Sequence, residues 1–308
     1  MFWKLDWHRD LVRITLGKTI VAILWTAMFW TMLMGNSIAV SDSDKFEAGI
    51  RSTQKGDYRA AIVDFTTSID NHNHVAASYS NRCLVRIYLE DYRLAAEDCT
   101  QAIQYGEESV ETYLNRGLAR YRLAEYAAAI DDFDRSIHLD PNDWRGYYNR
   151  GLARVEIEEY EAAIEDYDRA IGYSVSADAI QESEIYTDRG LAYLMLENTS
   201  KAIANFDRAI DLDSESARAY YNRACACHRH GELDRALEDF TRVVELEPHS
   251  AQAYANRGFI HDRRRNLPAA LQDWQTASEL FSQQGAITAS QQMRQLIEKR
   301  QFSVRAIA

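Results

Sequence analysis

Apolar positions along most of the chain recur at the spacing of an α-helix. In residues 126–137 they fall mostly at steps of three and four: Tyr126, Ala129, Ile130, Phe133 and Ile137. This spacing places them on one face of a helix. A second helical pattern occupies residues 113–123, and Ala124 and Glu125 separate the two. The pattern therefore predicts a helical hairpin, and strand signals are nearly absent from the chain.

The hairpin recurs with a fixed period, which three columns of residues mark. An alanine returns every 34 residues, with one step of 39: Ala61, Ala95, Ala129, Ala163, Ala202, Ala236 and Ala270. Four residues later stands an aromatic residue, except in the second repeat: Phe65, Cys99, Phe133, Tyr167, Phe206, Phe240 and Trp274. Twelve residues before each alanine stands a small residue: Gly49, Cys83, Gly117, Gly151, Gly190, Ala224 and Gly258. Such a period indicates an array of repeats, in which stacked neighbours bury a core that no single repeat buries alone.

In length, residue type and order these columns resemble the tetratricopeptide repeat family, over seven repeats in residues 42–284. The resemblance implies an all-α fold, an α-solenoid that winds as a right-handed superhelix. The first helix of each repeat would line a concave groove, and the second helices would form the convex back. Residues 285–308 predict a capping helix and tail, which an open-ended array needs for solubility. The step of 39 predicts a joint near residues 172–182.

The first 40 residues differ from the repeats. Residues 1–18 are basic, and residues 19–40 carry no charge. At ~1.5 Å per residue the uncharged segment reaches about 33 Å as a helix, enough to cross the hydrocarbon layer of a membrane. A small-x-small sequence that ends at Ala39 also offers a signal-peptide cleavage site. The segment is either a transmembrane anchor, with residues 1–18 in the cytoplasm, or a signal peptide. Both alternatives place the repeats on the non-cytoplasmic side of a membrane, or export them to a periplasm, a lumen or the medium.

Composition narrows the range of functions. The 308 residues carry a formal net charge of −12. Because an acidic array repels nucleic-acid phosphates, nucleic acid is not an expected partner. The sequence contains no glycine-rich phosphate loop, no nucleophile elbow and no HExxH motif. We therefore predict a protein that is not an enzyme and requires no cofactor.

A Tyr-x-Asn-Arg motif precedes the small residue of repeats two to seven, with Asp188 in place of the asparagine in the fifth. An aspartate precedes the aromatic column, except at Asn205. Because the first repeat has the aspartate but no arginine, we predict that each aspartate pairs with the arginine of the next repeat. The predicted series runs from Asp64 with Arg82 and Asp98 with Arg116 to Asp239 with Arg257. A guanidinium fork matches a carboxylate, so these pairs would fix the angle between neighbouring repeats.

The asparagines of this motif are the main binding candidates. A side-chain amide offers one acceptor and two donors, the complement of a peptide bond. In family members such as the O-linked N-acetylglucosamine transferases, a comparable ladder of asparagines binds the main chain of an extended peptide. The resemblance therefore predicts a peptide-binding column: Asn81, Asn115, Asn149, Asn222 and Asn256, with Asp188 as an imperfect member. The alternative is that these amides cap or bridge neighbouring helices.

Tyrosine and arginine residues extend the candidate surface, because both types commonly anchor interfaces. They are Tyr148, Tyr221, Arg229 and Arg263, with Arg122 as a further candidate. Arg263 belongs to a run of three arginines that forms, with residues 228–230, the one basic concentration in this acidic sequence. It is either a dock for an acidic partner segment or a solvated helix end, where cations suit the helix dipole.

The four cysteines lie in two places. Cys83 and Cys99 occupy the small and the aromatic column of the second repeat, which should face each other. They form a disulfide if the compartment is oxidising, or two buried thiols. The thiols are the favoured interpretation, because free cysteine is a common core residue. The segment 225–230, Cys-Ala-Cys-His-Arg-His, suggests a metal site, but nothing completes a tetrahedral set of ligands, so we predict no metal.

The sequence therefore predicts a scaffold that binds partner proteins or extended peptide segments in its groove and assists the assembly of a membrane or envelope complex. Two alternatives remain open. One is a structural element that associates with further copies of itself. The other is a metal- or redox-responsive sensor built on residues 225–230.

Overall fold

The computed structural model of the chain describes residues 45–174 and 177–305, and side chains as far as residue 302. Its elements are α-helices: α1 (Lys45–Gln54), α2 (Tyr58–Asp70), α3 (Val75–Tyr88), α4 (Tyr92–Gln104), α5 (Val110–Arg122), α6 (Tyr126–Leu139), α7 (Trp144–Glu156), α8 (Tyr160–Tyr173), α9 (Ala179–Met195), α10 (Thr199–Leu212), α11 (Ala217–His230), α12 (Leu233–Leu246), α13 (Ala251–Arg263), α14 (Leu267–Gln283) and α15 (Ile287–Arg305). None of these helices is long and apolar enough to cross a membrane. The segment 19–40, predicted to be an anchor or a signal peptide, lies outside the described residues.

The described residues divide into two compact units, with the boundary between residues 175 and 176. In the first unit, α1–α8 pair into four consecutive hairpins. In the second unit, α9–α14 pair into three hairpins, and α15 follows. The boundary falls inside residues 172–182, where the period of the sequence lengthens. The predicted all-α architecture of helical hairpin repeats is confirmed in both units.

The three sequence columns meet inside each hairpin. In the third repeat, Ala129 is fully buried and Phe133 is 1% exposed. A Cβ atom added to Gly117 on α5 would lie 2.5 Å from Cε1 of Phe133 on α6. The glycine is therefore required because the aromatic ring lies directly against the backbone of the first helix. The same close approach joins Gly49 to Phe65, Gly151 to Tyr167, Gly190 to Phe206 and Gly258 to Trp274.

The turn between the two helices of each repeat contains one residue in the left-handed region. It is glycine in two repeats, Gly56 and Gly231. In the other five it is a residue with a side chain, at φ between 58° and 63°: Glu90, Ala124, Glu158, Glu197 and Arg265. In the third repeat this conformation lets the N–H of Glu125 reach the carbonyl of Arg120 at 2.9 Å, which closes the end of α5.

Helix α15 covers the last hairpin, as the predicted capping helix should. Met293 is buried in one apolar cluster with Trp274, Ala277 and Phe281 of α14. Beside this cluster, the hydroxyls of Ser278 and Ser290 lie 3.1 Å apart. Polar residues of α15 remain exposed, among them Gln291, Gln295 and Glu298, so the capping helix is confirmed.

Candidate partner-binding surface

The arginine of the Tyr-x-Asn-Arg motif holds an aspartate of the same hairpin. In the third repeat, Arg116 donates to both carboxylate oxygens of Asp132, over 2.7–3.1 Å. Arg120, one turn later on α5, donates to Asp132 Oδ2 at 2.8 Å. Asp132 is 1% exposed. These charge-assisted hydrogen bonds clamp the two helices of the hairpin together.

This arrangement corrects the predicted pairing between neighbouring repeats. The observed pairs lie within single repeats, with partners 16 residues apart: Arg82–Asp98, Arg116–Asp132, Arg150–Asp166, Arg223–Asp239 and Arg257–Asp273. The predicted pairs Asp64–Arg82, Asp98–Arg116 and Asp239–Arg257 are therefore wrong. The facing small and aromatic residues are also 16 residues apart, and the arginine and the aspartate each stand one residue before them. In the first repeat, Asp64 accepts from Lys45 Nζ at 2.9 Å.

The same arginines still connect neighbouring repeats, through another guanidinium nitrogen. Nη1 reaches the residue that follows the aromatic column of the preceding repeat: Arg82 to Thr66 at 2.7 Å, Arg116 to Thr100 at 3.3 Å, Arg150 to Asp134 at 2.5 Å and Arg223 to Asp207 at 2.7 Å. Each guanidinium also lies 5.0–5.6 Å from the ring centre of the tyrosine three residues earlier: Tyr79, Tyr113, Tyr147, Tyr186, Tyr220 and Tyr254. The tyrosine and the arginine of the motif are thus accounted for by packing.

Three buried carboxylates of the first unit, Asp98, Asp132 and Asp166, have a second arginine partner. Arg86, Arg120 and Arg154 provide it there. In the sixth and seventh repeats Cys227 and His261 stand at that position. Burial raises the pKa of Asp132 and of Asp239, while hydrogen bonds from their arginines act in the opposite direction. Carboxylates that sit in these clamps serve the packing of the repeats.

The predicted asparagine column is more buried than a peptide-binding ladder requires. Asn115 is 6% exposed and Asn222 is 2% exposed, and Asn149 is half-buried on α7. The amide nitrogen of Asn222 has no hydrogen-bond partner in the structure. Asn115 and Asn222 therefore present little side-chain surface to a peptide. The peptide-binding role of the column stays a prediction.

Two other members of the column have hydrogen-bond partners within the protein. Asn81 donates to the carbonyl of Ala77, one turn earlier, at 2.8 Å. Asn256 of α13 donates to the hydroxyl of Tyr221 of α11 at 2.8 Å. Burial raises the pKa of Tyr221 well above its usual range. The Asn256 contact fits the alternative in which the amides bridge neighbouring helices, whereas the Asn81 contact stays within α3. Tyr148, the matching tyrosine of the fourth repeat, is 3% exposed.

Asp188, the imperfect member of the column, is paired with a cation. Arg218 of α11 donates to the carboxylate of Asp188 on α9, and to Glu184 at 2.5 Å. Burial raises the pKa of Glu184, and the positive charge of Arg218 opposes the shift. Sequence reasoning missed this ion pair. It could have been found, because Glu184 and Arg218 are one period apart.

The arginines at the ends of the first helices are the exposed members of the candidate set. Arg229 lies in the last turn of α11 and Arg263 is the last residue of α13, and both are exposed. Nη1 of Arg263 lies 2.7 Å from Nε2 of His228. Burial lowers the pKa of His228, and the charge of Arg263 lowers it further. The ring is therefore neutral and accepts from Arg263 at neutral pH. In the first unit, Arg122 lies over the ring of Tyr92 at 5.6 Å.

Cys83 and Cys99 are joined by a disulfide, which corrects the favoured interpretation of two thiols. Both cysteines are fully buried. The bond takes the place of the contact between a small residue and an aromatic ring that the other hairpins make. The sequence could not distinguish a disulfide from two buried thiols, because both place the two sulfur atoms in the same core.

Cys225 and Cys227 are buried free cysteines. Burial raises the pKa of both thiols, that of Cys227 to about 12. Thiols in this state are poor nucleophiles and poor metal ligands. Within the described ranges, no group of three histidine, cysteine or carboxylate side chains is arranged to hold a metal ion.

The hairpins, their columns and their buried clamps define a helical repeat protein. One tetratricopeptide repeat model matches residues 110–143 and 217–250, and a second matches residues 145–174. A TPR repeat model matches residues 190–231. The hairpins in these segments are tetratricopeptide repeats. None of the curated proteins compared with the chain matches it.

Solved structures share this fold. YrrB, described as a TPR protein with an unusual peptide-binding site, is 24% identical, with a TM-score of 0.52 over 65% of this chain and 99% of its own. A tetratricopeptide repeat protein from Parabacteroides merdae is 18% identical, with a TM-score of 0.61 over 81% of this chain and 96% of its own. MamA from Desulfovibrio magneticus is 19% identical, with a TM-score of 0.52 over 57% of this chain and 96% of its own.

Proposed function

We propose that this chain is a non-enzymatic scaffold that binds extended segments of other proteins along its first helices. The observation that carries the proposal is the direct contact between successive first helices inside each unit. In the first unit, Ser80 of α3 bonds to Thr112 of α5 at 2.9 Å, and Glu111 of α5 lies 3.3 Å from Arg145 of α7. We call these adjoining helices of one unit its first-helix wall. An extended segment that crosses such a wall meets one helix from each repeat.

The second unit has a wall of the same kind. Arg218 of α11 bonds to Glu184 of α9, and Asn256 of α13 bonds to Tyr221 of α11. A wall of adjoining helices offers one set of contacts per repeat, so its affinity grows with the length of the bound segment. The peptide-binding site described for YrrB supports this use of the fold. The proposal does not require the asparagine column, since Asn115 and Asn222 are buried and Asn81 and Asn256 bind within the protein.

Photo-crosslinking in cells tests the proposal. A photoreactive amino acid is placed on the walls, at Glu111 and at Gln252, and on the second helices, at Asp131 and at Arg208, all of which are exposed or partly exposed. We expect defined adducts with partner proteins from the two wall positions and few from the two control positions. Adducts that form mainly at Asp131 and Arg208 would place the interaction surface on the second helices and contradict the proposal.

The compartment belongs to the same proposal. Residues 19–40 form an uncharged segment behind a basic amino terminus, so the repeats would reside outside the cytoplasm, anchored or exported, and serve a membrane or envelope complex. The buried disulfide supports this location, because disulfides persist in oxidising compartments. Protease protection in intact cells and in membrane vesicles distinguishes the two sides. Repeats that resist protease in intact cells because they lie in the cytoplasm would contradict the proposed location.

A further inference from the structure

We infer that the second unit binds an acidic segment of a partner protein at the ends of α11 and α13. This inference rests on the proposed function and names the chemistry of one part of the second wall. The surface consists of Arg229, Arg263 and Arg265, and we call it the basic helix-end patch. All three side chains are exposed.

The patch is continuous because its two helices touch at this end. Arg263 Nη1 lies 2.7 Å from His228 Nε2, and His228 immediately precedes Arg229. Arg265 follows in the turn after α13, at φ 62°. The three guanidinium groups are therefore presented by one end of two adjoining first helices. A segment that crosses this end of the wall meets Arg229 and then Arg263.

The positive charge of the patch is not neutralised by the neighbouring acids. Asp262 is paired with Arg300, Glu232 with His230 at 2.8 Å, and Asp234 with Arg264 at 2.9 Å.

In the described part of the chain, Arg229 and Arg265 have no carboxylate partner, and Arg263 contacts only a neutral histidine there. The matching position in the third repeat, Arg122, instead lies over the ring of Tyr92. The sixth and seventh repeats thus offer guanidinium groups that no carboxylate in the described part of the chain neutralises.

The partner chemistry follows from these charges. Guanidinium groups bind carboxylates through paired, charge-assisted hydrogen bonds. A protein segment rich in aspartate or glutamate carries several carboxylates close together along its chain. A nucleic acid is a less suitable occupant, because a long polyanion would also meet the acidic remainder of a chain whose net charge is −12. A short acidic segment reaches the patch and leaves the rest of the surface untouched.

A binding assay with the full chain tests this assignment. The probe is a short fluorescein-labelled peptide of alternating glutamate and serine, and its fluorescence anisotropy is titrated at low and at physiological ionic strength. The variant is R229E/R263E. The control is R208E/R242E, which makes the same change in net charge on the second helices α10 and α12. Because the four side chains are exposed or partly exposed, both variants should keep the melting temperature of the wild-type chain. The variant R229Q/R263Q repeats the test without charge reversal.

We expect saturable binding that weakens with salt, a rise in Kd of about tenfold or more in R229E/R263E, and less than about twofold in the control. Absence of binding to the wild-type chain at low salt, or an equal loss in both variants, overturns the assignment. Concentration-dependent self-association that R229E/R263E abolishes, without probe binding, would also overturn it and indicate a second copy as the occupant. If the probe fails while the wall positions still crosslink partners, the proposed function stands and only the acidic-segment assignment falls.

Discussion

Single buried charges set the stability of the first unit. Asp132 lies between Arg116 and Arg120, and it is almost inaccessible to water. Asp132→Asn would leave two guanidinium groups facing each other without a compensating charge. We expect the free energy of unfolding to fall by roughly 2–4 kcal/mol. Urea unfolding followed by circular dichroism measures this loss.

The neighbouring residue supplies the control for that substitution. Asp131 precedes Asp132 on the same helix and is exposed. Asp131→Asn makes the same chemical change and should alter the free energy of unfolding by less than about 0.5 kcal/mol. Equal effects of the two substitutions would show that the clamp around Asp132 does not stabilise the fold.

His228 gives the second unit a dependence on pH. Its pKa is lowered by burial and by Arg263, so the folded state holds the neutral ring. A lowered pKa in the folded state contributes stability that is present above the unfolded value of about 6.5 and is lost as the pH falls below it. We expect the melting temperature of the wild-type chain to fall more between pH ~7.5 and ~5 than that of His228→Gln. Parallel curves for the two proteins would contradict this reading of the His228 contact.

The sequence predicted which residues have a structural role more readily than it predicted their contact partners. The Arg–Asp partnership follows from residue types, but its register depends on which helices face each other. The sequence offset of the first repeat suggested pairing between repeats, whereas the facing of Gly117 and Phe133 brings Arg116 and Asp132 together within one hairpin. The spacing of 16 residues, already present in the small and aromatic columns, was the signal that could have found it.

Turns between the helices of a repeat carry a cost that the sequence pattern did not reveal. Ala124 has a left-handed backbone, at φ 60°, where a Cβ atom is unfavourable. Ala124→Gly should therefore raise the free energy of unfolding by about 0.5–1 kcal/mol. Ala127→Gly, two residues into α6, is the matched control and should lower it by about 0.5–1 kcal/mol. Chemical unfolding of both variants should give opposite signs, and a loss of stability at Ala124 would refute the proposed strain.

At the level of helices and hairpins the prediction from sequence was nearly complete. The three columns recur in seven repeats, so the hairpin can be predicted even in a repeat where one column is irregular. What the columns do not encode is which side chains of the first helices remain accessible. The burial of Asn115 and Asn222 depends on how closely neighbouring helices pack, and a repeat period carries no information about that distance.

In the whole molecule, the disulfide makes the two units unequal. Cys83 and Cys99 close a loop of sequence separation 16 in the second repeat, and the free cysteines of the second unit lie elsewhere in the core. Closing a loop of this length stabilises a fold by about 3 kcal/mol in the chain-entropy model. Because repeats contribute to stability mainly through themselves and their immediate neighbours, reduction should act locally.

Hydrogen exchange measured by mass spectrometry, with and without reductant, tests that locality. We expect reduction to speed amide exchange in α3 and α4 and in the hairpins beside them, while α11–α14 exchange at an unchanged rate. The variant C83G/C99F is the control, because it restores the small and aromatic pair that the other hairpins use, and its exchange should not respond to reductant. Uniform acceleration across both units would show that stability is shared along the whole chain. Unchanged amide exchange in α3 and α4 after reduction would show that the disulfide does not stabilise the second repeat.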